Sequence, residues 1–277
     1  MTLCVVWKIG EQIFQASDSR ISNGKKYSDY GIKVIPVPVV IYSPSEANKE
    51  ADVAFRTTYG MCFAGSFVGA YVVREFLIIA LQKLQYVPTF SEISFNQVAR
   101  MVFKFYRNIV DKVSDELDHD HSVDFFLSGY CPNEKRIVTA KFYIDYGDNF
   151  DRQDPKYFLI DDEDFVEFIG SGEDKYKCKL KHCSCVGKQT RPLVALKRLI
   201  ESREVASVGG NIQLGSFNND NEFSVSGIVD IEYQENGIEK IKYSYAGLNM
   251  NGDEFNSDGS DYFIMGSYFD PFNNLKP

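Results

Sequence analysis

Residues 2–18 read TLCVVWKIGEQIFQASD. Leu3 to Trp7 is apolar and rich in β-branched residues, Lys8 to Gln12 contains Gly10, and Ile13 to Ser17 resumes the apolar run. That is the pattern of a β-hairpin. Taken as symmetric about Gly10, the hairpin sets residues whose numbers add to about twenty opposite one another. Thr2 then faces Asp18. A hydroxyl stands beside a carboxylate, next to the α-amine that loss of Met1 would free; the small side chain of Thr2 permits that removal. A hydroxyl is a weak nucleophile at neutral pH and needs a base. The α-amine, with an unperturbed pKa of about 8, lies close to working pH. A neighbouring ammonium lowers it further by like-charge repulsion, and a carboxylate holds that ammonium in place. No histidine is needed, and the three present, His119, His121 and His182, form no triad pattern. The plain alternatives are a strand threonine at Thr2 and a hairpin-end carboxylate at Asp18 paired with Arg20.

Outward from the hairpin, Ile32 to Tyr42 is a second apolar run, which Pro36 and Pro38 confine to an edge or bulged strand. Ser43 to Arg56 is polar and reads as a surface loop, and Tyr59 to Ala64 as a short buried strand ending at Gly65. Apolar residues at helical spacing predict helices over Val68 to Gln85, closed by Pro88, and over Glu92 to Leu117. A hairpin follows, Val123 to Cys131 and Arg136 to Ile144 around Pro132-Asn133-Glu134, then a strand near Tyr157 to Ile160. Pro192 to Ser202 is a third helix with proline in its first turn. Phe223 to Tyr233 and Ile238 to Tyr245 flank Asn236-Gly237, a strong hairpin signal. Strand blocks with helices gathered between them suggest an α+β fold of packed sheets and helical layers. With no repeat or linker, the 277 residues form one domain, with a core of about residues 2–247 and a polar, aromatic tail over 248–277.

A net charge of -9 and the lack of a basic stripe argue against nucleic-acid binding. No apolar run approaches the ~20 residues of a bilayer span; Val72 to Leu84 carries Arg74, Glu75 and Lys83. The N-terminus lacks a basic region and a small-residue cleavage site, so no signal peptide, no membrane and a cytoplasmic location are expected. Six scattered cysteines do not make a disulfide scaffold.

Thr2, the run Ala16-Ser17-Asp18-Ser19-Arg20 and the following Lys33 resemble the opening of proteasome β-type subunits. They resemble most closely the bacterial Anbu (ancestral β-subunit) group. The resemblance implies an N-terminal-nucleophile hydrolase of four αββα layers, two antiparallel sheets flanked by helices. It implies Thr2 as nucleophile, its own amine as base, and Asp18 and Lys33 as tuning groups, with no cofactor. Phe63-Ala64-Gly65-Ser66 is similar to the strand end whose glycine N–H serves as oxyanion donor, a contribution of ~3 to 4 kcal/mol to transition-state stabilisation. Ile169-Gly170-Ser171-Gly172 is similar to the segment before a helix whose serine, Ser171, supports the amine. Ser207-Val208-Gly209-Gly210 resembles a later loop near the site, with Glu204 three residues earlier where proteasomes place an aspartate. Arg20, Phe63, Phe67 and Tyr71 are expected to contact substrate. Lys33 falls one residue early, the stretch from Lys33 to Gly65 is longer than in proteasome β-subunits, and the tail has no counterpart.

The resemblance also implies self-association into a dimer, ring or spiral stack, and a peptide or protein substrate cut by a threonine-type peptidase. Two rivals stand beside that reading: a catalytically silent assembly subunit, and an amidohydrolase of small amides. Cys178, Cys183 and Cys185 with His182 match no common zinc spacing and are expected to be structural or surface residues, with no metal. Asp161-Asp162-Glu163-Asp164 is expected to be a solvated loop.

Overall fold

The computed structural model describes residues 2–22, 26–44, 51–87, 92–117, 122–146, 154–184, 186–233, 239–251 and 267–272. Its strands are β1 (Leu3–Ile9), β2 (Gln12–Asp18), β3 (Ile21–Ser22), β4 (Tyr27–Ser28), β5 (Val34–Tyr42), β6 (Val53–Gly65), β7 (Leu84–Gln85), β8 (Val123–Cys131), β9 (Arg136–Asp145), β10 (Asp154–Ile160), β11 (Phe165–Gly170), β12 (Ile212–Phe217), β13 (Phe223–Tyr233), β14 (Glu239–Tyr245), β15 (Leu248–Asn249) and β16 (Tyr268–Phe269). Its helices are α1 (Phe67–Ala80), α2 (Phe95–Leu117), α3 (Glu173–Lys181) and α4 (Arg191–Ser202). One sheet runs β11-β1-β2-β12-β13-β14-β15, with β16 on β13; another runs β10-β9-β8-β6-β5-β7; β3 and β4 form a small ribbon. Pairing is antiparallel except at the short strands β7 on β5 and β16 on β13, which are parallel.

The opening hairpin forms with a one-residue shift from the expected register. Cys4 pairs with Ser17 and Ile9 with Gln12, because the turn is the two-residue Gly10-Glu11 and not a loop centred on Gly10. The prolines of β5 sit where expected: Pro36 and Pro38 lie beyond the reach of β7, which pairs only at Ile41 and Tyr42, and a bulge follows Ile41. The strand expected over Tyr59 to Ala64 is longer. Val53 to Arg56, expected in a loop, extend β6 because they continue the pairing with β5. The helix expected to reach Gln85 stops at Ala80; a 3-10 turn at Leu81–Lys83 frees Leu84 and Gln85 to pair with β5. Pro88 and the Asn236-Gly237 turn lie outside the described residues, as does most of the tail.

Alternation along each strand divides the apolar side chains between two faces. Val5 and Trp7 of β1 face Leu193, Leu196 and Leu199 of α4 and Tyr176 of α3 in one cluster. Trp7 stacks on Phe14 at 5.2 Å and its indole N–H donates to the Gln189 carbonyl at 2.9 Å. Cys4, Val6 and Ile13 face the other way, meeting Val34, Cys62, Ala64 and Phe126 of the second sheet. The far side of that sheet packs on α1 and α2 through Val73, Leu77, Val102 and Tyr106. There Tyr106 stands edge-on to Phe125 at 5.2 Å, while Phe125 stacks on Phe142 at 4.4 Å, geometries that aromatic quadrupoles favour. Among the described residues no helix is long and apolar enough to cross a membrane.

Trp7 is the single tryptophan and is buried, so its fluorescence reports loss of the first sheet's packing. Phe126→Ala, which opens a void between the sheets, is expected to cost about 3 to 5 kcal/mol in urea unfolding followed at Trp7.

Candidate active site

The end of β2 carries Asp18, whose side chain is fully buried. Its Oδ1 accepts from the Leu3 N–H at 3.1 Å, from the Thr2 hydroxyl, and from Lys33 Nζ at 3.0 Å. Its Oδ2 accepts from the backbone N–H of Arg20 at 3.1 Å and of Gly209 at 3.0 Å. Removed from water, a carboxylate is tolerated only with such partners. Lys33, 2% exposed, uses its ammonium on three oxygens: Thr2 Oγ1, Asp18 Oδ1 and, at 2.5 Å, the Arg20 carbonyl. The Thr2 hydroxyl therefore donates to a carboxylate and accepts from an ammonium, so its oxygen already sits against a positive charge.

The backbone of Thr2 is fixed as firmly. Its carbonyl accepts from the Ser171 N–H at 2.7 Å. Gly170, at φ +102°, makes this approach possible: a Cβ there would stand 1.8 Å from the Thr2 oxygen. Beside Thr2 opens a cavity of about 420 Å³ lined by Lys33, Phe63, Gly65, Ser66, Phe67 and Ser122 among others. Gly65 ends β6 at φ +118°, where a Cβ would stand 2.5 Å from the Ser122 carbonyl. Ser66 then caps α1, its hydroxyl accepting from the Gly69 N–H at 3.5 Å.

The structure thus brings together Thr2, Asp18, Lys33, Gly65, Phe63 and Phe67. Ser171 reaches Thr2 through its backbone. Arg20 lines the cavity, but its guanidinium is turned to Asp29, with Nε at 2.7 Å and Nη2 at 3.0 Å, and lies over the Tyr27 ring at 3.8 Å. The hydrogen bond to Asp29 raises the Arg20 pKa, outweighing its partial burial. Tyr71 is set back behind the wall, against Phe67 at 4.1 Å and Phe63 at 6.1 Å. Glu204 is not brought to Thr2. It lies on the surface, held by Lys179 at 2.5 Å and Lys175 at 3.7 Å, and the hydrogen bond from Lys179 lowers its carboxyl pKa. Ser207 does not line the cavity; its loop reaches the site through the Gly209 N–H, which donates to Asp18. Cys178 is exposed beside His182, Cys183 is buried, and Cys185 lies outside the described residues. Among the described residues no cluster suits a metal ion. Of the acidic run, Asp164 accepts from the Gly10 N–H at 3.1 Å and Asp161 pairs with Arg136 at 2.6 Å.

The role of Gly209, whose loop the resemblance sets near the site, and the whole contribution of Gln213 escape sequence reading. Gly209 acts through a backbone N–H, which leaves no trace in side-chain chemistry. Gln213 contacts the Lys33 backbone, and its one signal is an amide between the apolar Ile212 and Leu214 of β12.

By sequence, the chain matches no protein-family model and no curated protein. By structure, it superposes on the helical assembly of the Anbu complex from Pseudomonas aeruginosa, with a TM-score of 0.56 at 16% identity, covering 81% of this chain and 86% of that one. The fold is similar to that of Anbu. Anbu (ancestral β-subunit) from Yersinia bercovieri gives 0.54 at 16% identity over 81% of this chain and 86% of that one. An Anbu Gly-1 mutant from Hyphomicrobium sp. strain MC1 gives 0.54 at 16% identity over 87% of each chain. At this identity the likeness is one of fold.

Asp18→Ala leaves the buried Lys33 ammonium without its carboxylate and is expected to cost about 3 to 5 kcal/mol. The double variant Asp18→Asn/Lys33→Met removes both charges and should be the more stable of the two in urea unfolding.

Proposed function

We propose that the protein is a threonine-type amide hydrolase, cutting peptides, with Thr2 as nucleophile once Met1 is removed. The observation that carries this reading is the Thr2 hydroxyl held between Asp18 and Lys33 at the mouth of a cavity. In the proposed reaction Oγ1 attacks the carbonyl carbon of the scissile amide, and its proton passes to the freed α-amine. The negative oxygen that forms takes the Gly65 N–H. The carbon–nitrogen bond then breaks, the leaving amine takes the proton, and an ester remains on Thr2. Water, deprotonated by the same amine, hydrolyses that ester and restores the hydroxyl. Lys33 stabilises the oxygen anion as the proton leaves, Asp18 keeps Lys33 in place, and Ser171 holds the Thr2 carbonyl. Phe63 and Phe67 offer an apolar wall to the substrate side chain, with Arg20 beside them.

The fold belongs to the same proposal: four αββα layers in one domain, with copies assembling as a dimer, ring or spiral stack in the cytoplasm. The solved Pseudomonas aeruginosa Anbu complex, a helical assembly of similar fold, supports the self-association. A catalytically silent subunit is the competing reading. It is favoured by Glu204, which stands with Lys179 and leaves the amine without that carboxylate.

A peptide epoxyketone, which reacts with both a threonine hydroxyl and its free amine, separates the readings. Intact mass is expected to show loss of Met1 and one adduct, absent from Thr2→Ala. Lys33→Met should slow adduct formation by at least about a hundredfold, the scale of losing one preorganised charge at the reacting oxygen. Met1 removed without an adduct would point to a silent subunit, or, if small acylated amides are turned over, to a small-amide hydrolase.

A further inference from the structure

We propose that Gln213 is a positioning residue for Lys33, acting from the opposite sheet; the catalytic part of this inference rests on the hydrolase reading above. Gln213 lies in β12, paired with Ser17 and one residue beyond the Ile212–Asp18 pair, and its side chain is fully buried. Among the described residues, the hydrogen bonds of its amide all go to the backbone that enters β5. Oε1 accepts from the N–H of Lys33 at 2.8 Å and of Val34 at 3.1 Å, and Nε2 donates to the Gly31 carbonyl at 2.5 Å.

The geometry has one consequence for chemistry. β5 belongs to the second sheet and begins only at Val34, so Lys33 sits just outside its ladder. Among the described residues the Lys33 N–H has no partner but Gln213, and the Lys33 carbonyl accepts from the Phe63 N–H at 3.3 Å. The ammonium, at the far end of four methylenes, reaches Thr2 and Asp18 only if that backbone is fixed. The strand that flanks Asp18 therefore also fixes Lys33, so one element sets both charges against the Thr2 oxygen. Gln213 does not line the cavity beside Thr2, so it acts on rate and not on substrate contact.

Gln213→Asn shortens the amide by one methylene and withdraws it from the 31–34 backbone. Two measurements test the inference, with Leu214→Ala, a buried neighbour on the same strand, as a control for general loosening. The first is acetylation by a succinimidyl ester, read as the occupancy of Lys33 relative to exposed Lys135. Labelling of Lys33 is expected to rise about tenfold in Gln213→Asn, as burial of the amine is lost, and to stay near wild type in Leu214→Ala. The second, on protein lacking Met1, is the rate of epoxyketone adduct formation. The maximal rate should fall about a hundredfold, as expected for a catalytic group displaced by ~1 Å, while the half-saturating inhibitor concentration is unchanged. Equal labelling of Lys33 in both variants, no rise in Gln213→Asn, or an unchanged maximal rate with wild type reactive would each overturn the inference. If wild type forms no adduct, the peptidase reading fails, and the labelling alone decides whether Gln213 positions Lys33. If Gln213→Asn does not fold, the isosteric Gln213→Glu, whose carboxylate cannot donate to Gly31, enters the same measurements.

Discussion

The Asp18 carboxylate has no exposed surface, yet five donors from four segments converge on it: Thr2 and Leu3 at the start of β1, the Arg20 N–H, Lys33 at the entrance to β5, and Gly209 of the loop before β12. Burying an ion costs several kcal/mol unless its partners are already in place. The group is therefore stable only in a chain whose two sheets have met in one register. Loss of either charge strands the other, so neither partner can be removed alone without a cost in stability. Conversely, apolar packing between the sheets, through Cys4, Val6, Phe126 and their neighbours, keeps water away and lets each donor act at short range.

Arg20 extends that arrangement outward. Its backbone joins Asp18 and Gly209, its carbonyl accepts Lys33 Nζ, and its guanidinium closes on Asp29 and the Ala206 carbonyl. The Tyr27 ring covers the same guanidinium, so the β3–β4 ribbon is tied to the rim of the cavity by a charge, a hydrogen-bond pair and a ring face. An arginine so engaged has little freedom to reach into the cavity. That placement follows from local chemistry: a bidentate carboxylate is a better partner for a planar fork than open solvent.

Much of this was legible in the chain because the signals were short-range. The hairpin of residues 3–18, the helix started by Pro192 and the pair β8–β9 follow from alternation, turn residues and proline position. Thr2 and Asp18 were readable as neighbours because one hairpin joins them, although the two-residue turn moved the register by one. What escaped depended on direction or on distant pairing. Spacing set Glu204 near the Ser207 loop, but Arg203 at φ +54° ends α4 and Glu204 stands among the lysines of α3. Leu84 and Gln85 carry the helical pattern of α1, yet pairing with Ile41 and Tyr42 of β5, 43 residues earlier, prevails. β11 and β12, short and broken by polar residues, show themselves only once β1 and β2 lie between them.

Under the proposed mechanism the nucleophile is also a chain end, which raises a difficulty: termini fray, and a frayed threonine has no fixed geometry. Here each group of Thr2 other than its nitrogen is pinned. The carbonyl is held by Ser171, the side chain by Asp18 and Lys33, and the next peptide N–H by Asp18. None of these bonds involves Met1. On the proposed reading, removal of Met1 changes the nitrogen and leaves these bonds standing, so the hydroxyl and its charges are preorganised before the base is freed. Under the proposed mechanism the amine is then the last part added to a site that folding has already built, and the entropy of fixing the terminus is met by β1 pairing on both sides, with β2 and with β11.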